Sequence, residues 1–83
     1  MRFTVTYLPS EINELARIWN QAPDRKAVTD AANEIDRLLT ASPLNVGEEA
    51  GPYRRLIVDP LEVAYSVSLE DCLVEVVQVF YFD

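Results

Sequence analysis

Residues 53–82 read Tyr-Arg-Arg-Leu-Ile-Val-Asp-Pro-Leu-Glu-Val-Ala-Tyr-Ser-Val-Ser-Leu-Glu-Asp-Cys-Leu-Val-Glu-Val-Val-Gln-Val-Phe-Tyr-Phe, and they decide the fold. Three β-branched and aromatic runs are parted by two turn signals, Asp59-Pro60 and Glu70-Asp71. Runs punctuated in this way read as consecutive antiparallel strands. In the first, Arg54, Leu56 and Val58 alternate with Tyr53, Arg55 and Ile57. In the second, Leu61, Val63, Tyr65 and Val67 alternate with small or polar residues. The third reads apolar on both faces, with Val74, Val76, Phe80 and Phe82 on one and Leu73, Val77, Val79 and Tyr81 on the other. A strand of that kind is usually covered on both sides. Two helices can cover only one face of a sheet well, so Val77, Val79 and Tyr81 are candidates for a partner-binding surface.

Upstream of the meander, residues 42–52 hold both glycines and read as the one long loop. Its glycines do not make a phosphate cradle, because no Lys-Ser/Thr follows and Glu48-Glu49 would oppose an anion. Before it, Val28, Ala31, Ala32, Ile35, Leu38 and Leu39 repeat at helical spacing and predict a helix over about 25–41, capped by Asp24. Ile12, Leu15, Ala16 and Trp19 predict another over about 11–20, with Ser10 as its N-cap and Trp19 in the core. The short break between them makes a helical hairpin. Phe3, Val5 and Tyr7 alternate with Arg2, Thr4 and Thr6, a half-buried opening strand. The expected fold class is α+β: a two-layer β-α-α-β-β-β arrangement, one domain over 1–83, with the hairpin on one face of a mainly antiparallel four-stranded sheet.

The net charge is −7, and it is uneven. Residues 43–83 hold Arg54 and Arg55 against eight acidic side chains. Affinity for phosphate backbones comes largely from Lys and Arg releasing counterions, so nucleic-acid binding is disfavoured. The single cysteine, Cys72, rules out an intrachain disulfide and fits a reducing, cytoplasmic setting. No run approaches the roughly 20 apolar residues of a membrane span. No histidine is present, which removes the commonest general base and metal ligand. No cofactor or metal is expected: the acidic pairs Glu48-Glu49 and Glu70-Asp71 lack metal-loop spacing.

Few residues can carry chemistry. Arg54-Arg55 is the one basic pair on the meander; it reads as an anion clamp or as balance for Glu48, Glu49 and Glu62. Adjacent strand residues point to opposite faces, so at most one of the pair looks into a given groove. Arg25-Lys26 opposes its helix dipole and marks either a contact surface or a tolerated conflict. Tyr53, Tyr65 and Tyr81 read as packing residues with polar tips. Acidic neighbours keep the Cys72 thiol from being an activated nucleophile.

Three segments carry a family resemblance. Leu-Pro-Ser-Glu-Ile-Asn-Glu-Leu-Ala-Arg-Ile-Trp (8–19), Ala-Ala-Asn-Glu-Ile-Asp-Arg-Leu-Leu-Thr-Ala-Ser-Pro-Leu-Asn-Val-Gly-Glu (31–48) and Tyr-Arg-Arg-Leu with Pro-Leu-Glu-Val-Ala-Tyr-Ser-Val (53–56, 60–67) resemble, in order and spacing, the RelE/ParE toxin superfamily of type II toxin–antitoxin (plasmid stabilisation) systems. The resemblance implies a bacterial, cytoplasmic protein neutralised by a cognate antitoxin. RelE-like members cut mRNA on the ribosome and ParE-like members inhibit DNA gyrase. For the ribonuclease reading it implies Arg54, Arg55 and Tyr81 as catalytic candidates, yet Glu62 stands where an arginine is expected, and a basic segment is expected beyond Asp83. The residues therefore favour a protein acting through protein contacts over an enzyme. A degenerate member that buries its sheet in a homodimer is the alternative, and a ribosome-dependent endonuclease is the weaker one.

Overall fold

The computed structural model describes residues 2–82; Met1 and Asp83 lie outside them. Its elements are β1 (Thr4–Tyr7), α1 (Pro9–Gln21), α2 (Arg25–Ala41), β2 (Glu48–Ala50), β3 (Tyr53–Val58), β4 (Leu61–Ser68) and β5 (Leu73–Tyr81). The strands form one sheet in the order β1-β5-β4-β3-β2. β2 to β5 is an antiparallel meander, and β1 joins its far edge parallel to β5, with Val5 opposite Val74. The fold class is the expected α+β, with five strands rather than four.

The extra strand is β2, inside the stretch expected to be a loop. Glu-Glu-Ala has low β propensity. Pairing with β3 makes it a strand: Glu48 faces Arg55 and Glu49 faces Arg54, so each acid lies across from a base. Gly47 sets the entry to β2. Its φ is +70°, and a Cβ there would lie 2.4 Å from the Arg55 carbonyl oxygen, so only glycine fits.

α2 follows its periodicity. Val28, Ala31, Ile35 and Leu39 are buried, and the Asp24 side chain accepts from Ala27 N at 3.0 Å. α1 departs from expectation at its start. It begins at Pro9, with Leu8 at the N-cap and no side-chain cap, while the Ser10 hydroxyl donates to Glu11. Proline suits the first helical position, since it lacks the N–H that would go unpaired there and its φ is already helical.

The face that α1 buries also differs. Ile18 is its one buried residue, whereas Ile12 is 56 % and Trp19 41 % exposed. Trp19, expected in the core, instead donates from Nε1 to Thr29 Oγ1 at 3.0 Å. The stripe of Ile12, Leu15, Ala16 and Trp19 is real, but only Leu15 of it packs against the core, and the stripe lies along the flank of α2 beside Val28, Thr29 and Ala32.

β5 contains the other departure. Gln78 pairs with Ala64 and Val76 with Tyr65, so Val77 has no partner on β4. This one-residue bulge reverses the alternation. Val74 and Val76 face the helices before it, and Val79 faces them after it, at 3 % exposure. Leu73 and Glu75 share the opposite face with Gln78, Phe80 and Phe82. The strand is therefore not apolar on both faces: two half-strands of opposite phase had been summed.

Beyond the end of β1, the outward N–H of Val79 meets no strand. The Glu11 carboxylate of α1 accepts it at 2.8 Å, which satisfies a polar group that burial would otherwise penalise. The core is made of Phe3, the buried stripe of α2, and the inward residues of β3, β4 and β5.

Two truncations compare these positions. Leu39 is fully buried, and Leu39→Ala is expected to cost about 2–5 kcal/mol in urea unfolding. Trp19→Ala removes a larger side chain but should cost only about 1 kcal/mol, from one hydrogen bond and one ring contact.

Candidate functional site

The uncovered face of the sheet carries a shallow groove of about 540 Å³ between β2 and the end of β5. Tyr53, Phe80 and Phe82 form its aromatic walls, and Ala64 and Gln78 its floor. Ile57 stands beside it, 59 % exposed. The register lines up Ile57, Glu62 and Phe80 across three strands. Large apolar side chains grouped on an open face mark a contact surface.

Within the groove Arg55 is ion-paired with Glu62. Glu48, opposite Arg55, and Glu75, opposite Ser66, point to the same face. Carboxylates thus outnumber the guanidinium on this side of the sheet.

Arg54 points to the other side, as strand alternation requires. Its Nη2 donates to the carbonyls of Val46 at 2.9 Å and Gly47 at 3.3 Å. The pair with Glu49, at 3.9 Å, is long, and Glu49 is largely exposed, so it contributes little. Arg54 Nε is buried with no hydrogen-bond partner among the described residues. Tyr65 works beside it: its buried hydroxyl donates to the carbonyls of Pro43 at 2.8 Å and Val46 at 3.0 Å. The two side chains pin the loop that leads into β2.

The residues singled out from the sequence are not brought together. Arg54 serves the loop, and Arg55 sits in the groove under Glu62. Tyr81 packs against the core and also lines the groove's edge. Val77 is at the bulge, and Val79 faces the helices. Of the residues that do share the open face, Tyr53 and Ile57 follow the alternation read from β3, whereas Phe80 and Phe82 fall opposite Val74 and Val76 because the bulge reverses the phase of β5.

Among the described residues no group of His, Cys, Asp or Glu side chains could hold a metal ion, and no helix is long and apolar enough to cross a membrane. One carboxylate has a distinctive setting: Asp36 accepts from the Tyr7 hydroxyl at 3.1 Å. Burial pushes the Tyr7 phenol up, and the charge of Asp36 adds to the shift. Burial also raises the Asp36 carboxyl, against the lowering effect of that hydrogen bond.

Neither a protein-family model nor a curated protein matches the sequence significantly. Solved structures do resemble it. The toxin–antitoxin complex RelBE2 from Mycobacterium tuberculosis aligns with a TM-score of 0.82 at 14 % identity, over 99 % of this chain and 93 % of that one. The chromosomal ParDE system of P. aeruginosa aligns at 0.76 and 14 % identity, over 99 % and 98 %. The isolated RelE toxin of E. coli aligns at 0.68 and 11 % identity, over 100 % and 86 %.

Two measurements probe the local settings. Tyr65→Phe leaves the Pro43 carbonyl without its donor and the Val46 carbonyl with Arg54 alone; it is expected to cost about 1–2 kcal/mol and to speed hydrogen exchange at Val46 and Gly47. For Asp36, the folded chain holds the carboxyl proton more tightly than the unfolded chain. That contribution is full below the unfolded value, about 3.9, and is lost as pH rises through the raised folded value. Asp36→Asn removes it, so unfolding curves should show the variant gaining on the parent as pH rises from below the unfolded value through the raised folded one.

The alignments are near-complete over this chain and cover most of each neighbour, and they show that this chain has the fold of these RelE and ParDE-system structures.

Proposed function

We propose that this chain is a RelE/ParE-type toxin-family protein that works through protein contacts, and that its open sheet face receives an apolar, basic-flanked segment of a cognate antitoxin. The observation that carries the reading is the composition of that face: an aromatic groove whose one arginine, Arg55, is already paired with Glu62, on a sheet face that also carries Glu48 and Glu75. Such a surface suits apolar side chains at the centre and Lys or Arg at the rim. It opposes a phosphate backbone. The structural neighbours lend support, because the RelBE2 and ParDE structures are of toxin–antitoxin systems.

An RNA-cutting activity would need basic groups converging on one side. Arg54 and Arg55 diverge, and each is engaged by other groups. The target is therefore read as a protein, DNA gyrase among the possibilities that the ParE likeness raises.

The test is expression in a bacterial host with and without the product of the adjacent short reading frame. Alone, the chain should slow growth; with the partner, growth should recover and a stoichiometric complex should form. Ile57→Asp combined with Phe80→Asp should weaken that complex by about 100-fold or more while leaving circular dichroism unchanged. Normal growth without the partner, or an unweakened complex, would overturn the reading.

A further inference from the structure

A second apolar groove lies on the opposite layer, between α1 and α2, facing away from the sheet. It measures about 490 Å³ and is lined chiefly by Ile12, Leu15, Trp19, Val28 and Ala32. It exists because the stripe of α1 is rotated off the core.

The charges at its two ends differ in sign. Arg25 and Asp36 are separated by about three turns of α2, so they lie on the same side of the helix, roughly 16 Å apart along its axis. Arg25 marks the end near Trp19. Its guanidinium lies 4.9 Å from the Trp19 ring and donates to the carbonyls of Trp19 at 3.2 Å and Asn20 at 3.1 Å. Asp36 marks the other end, bonded to Tyr7. Neither makes an ion pair among the described residues. Lys26, Glu34 and Arg37 are each paired within α2, and Glu14 pairs with Arg17 within α1.

We infer that this groove is the contact surface for a second copy of the chain, in a two-fold dimer that sets Arg25 of each copy against Asp36 of the other. A two-fold interface places one patch against itself and must be self-complementary. A groove with a cationic end and an anionic end meets that condition when two hairpins cross antiparallel: both charge pairs form at once. A uniformly basic or acidic segment would satisfy one end and oppose the other. Ala16 and Ala32 lie near the midpoint, at the two-fold axis, where small side chains allow close approach. The helices have 13 and 17 residues, which makes them about 20 and 25 Å long. That is a face near the lower bound of stable interfaces, and a dimer with micromolar affinity is expected.

Sedimentation of the full chain from about 1 μM to about 1 mM tests the dimer. Concentration-dependent dimerisation is expected, and Ile12→Arg should abolish it with circular dichroism unchanged. Arg25→Asp and Asp36→Arg, each alone, should weaken it by about tenfold or more, since each places like charges together. Mixing the two variants should restore it, because both cross-pairs then form again in the heterodimer. A monomer throughout, a dimer indifferent to Ile12→Arg, or no recovery on mixing would each overturn the inference.

Discussion

The bulge at Val77 is the constraint on which the sheet depends. One unpaired residue reverses the phase of β5, so Val74 and Val76 before it and Val79 after it all face the helices. Without it, strict alternation would turn Phe80 and Phe82 inward with Val76 and carry Val79 out to solvent. The core would then have to accept two phenyl rings against the buried Val28, Ile35 and Leu39. Packed interiors do not absorb such volume changes without strain. The bulge also falls where β1 stops covering β5. The Glu11 carboxylate then takes the Val79 N–H that lacks a strand partner, so the start of α1 and the phase change in β5 are tied at one point.

How much of this is legible in the sequence depends on how local each cause is. α2 is legible from end to end because its cap, its apolar stripe and its small residues act within a turn or two of themselves. The meander is legible for the same reason. β2 is not: Glu48–Ala50 is a strand because β3 offers backbone partners beyond Gly51-Pro52, and because Arg54 and Tyr65 hold the loop that leads into it. The bulge is a property of two strands in register, and a single strand read alone shows only its average. The rotation of α1 is likewise tertiary. Its apolar stripe is plain in sequence, but the neighbour it faces is set by Pro9 at the start of the helix, by Glu11 reaching β5, and by Trp19 reaching Thr29.

The candidate site divides along the same line. Arg54 and Arg55 were legible as a basic pair, and alternation already required them to diverge. Their employment was not legible, since it depends on loop carbonyls some eight positions upstream and on Glu62 of the next strand. Arg54 and Tyr65 converge on the Val46 carbonyl. In this chain that convergence makes a loop anchor, and an anchor held by buried donors cannot be released to bind a substrate without exposing the same carbonyls. Arg54 and Tyr65 are committed to holding the loop into β2, and Arg55 to Glu62.

Both layers of the fold expose apolar surface, and they present it differently. The sheet side is aromatic, and its face carries Glu48, Glu62 and Glu75 with Arg55, so on the proposed reading it would suit a partner of opposite charge and disfavour its own copy. The hairpin side has opposite charges at its two ends and so suits itself. Because the surfaces lie on opposite layers, occupation of one does not block the other. Two chains joined through their hairpins would hold two sheet faces outward, and a partner that is itself a dimer could engage both at once, raising its effective concentration at the second site without any new contact. On this geometry, the proposed self-association and the proposed partner binding are not rival uses of one face: the rotated stripe of α1 would serve the first, and the phase reversal in β5 would serve the second.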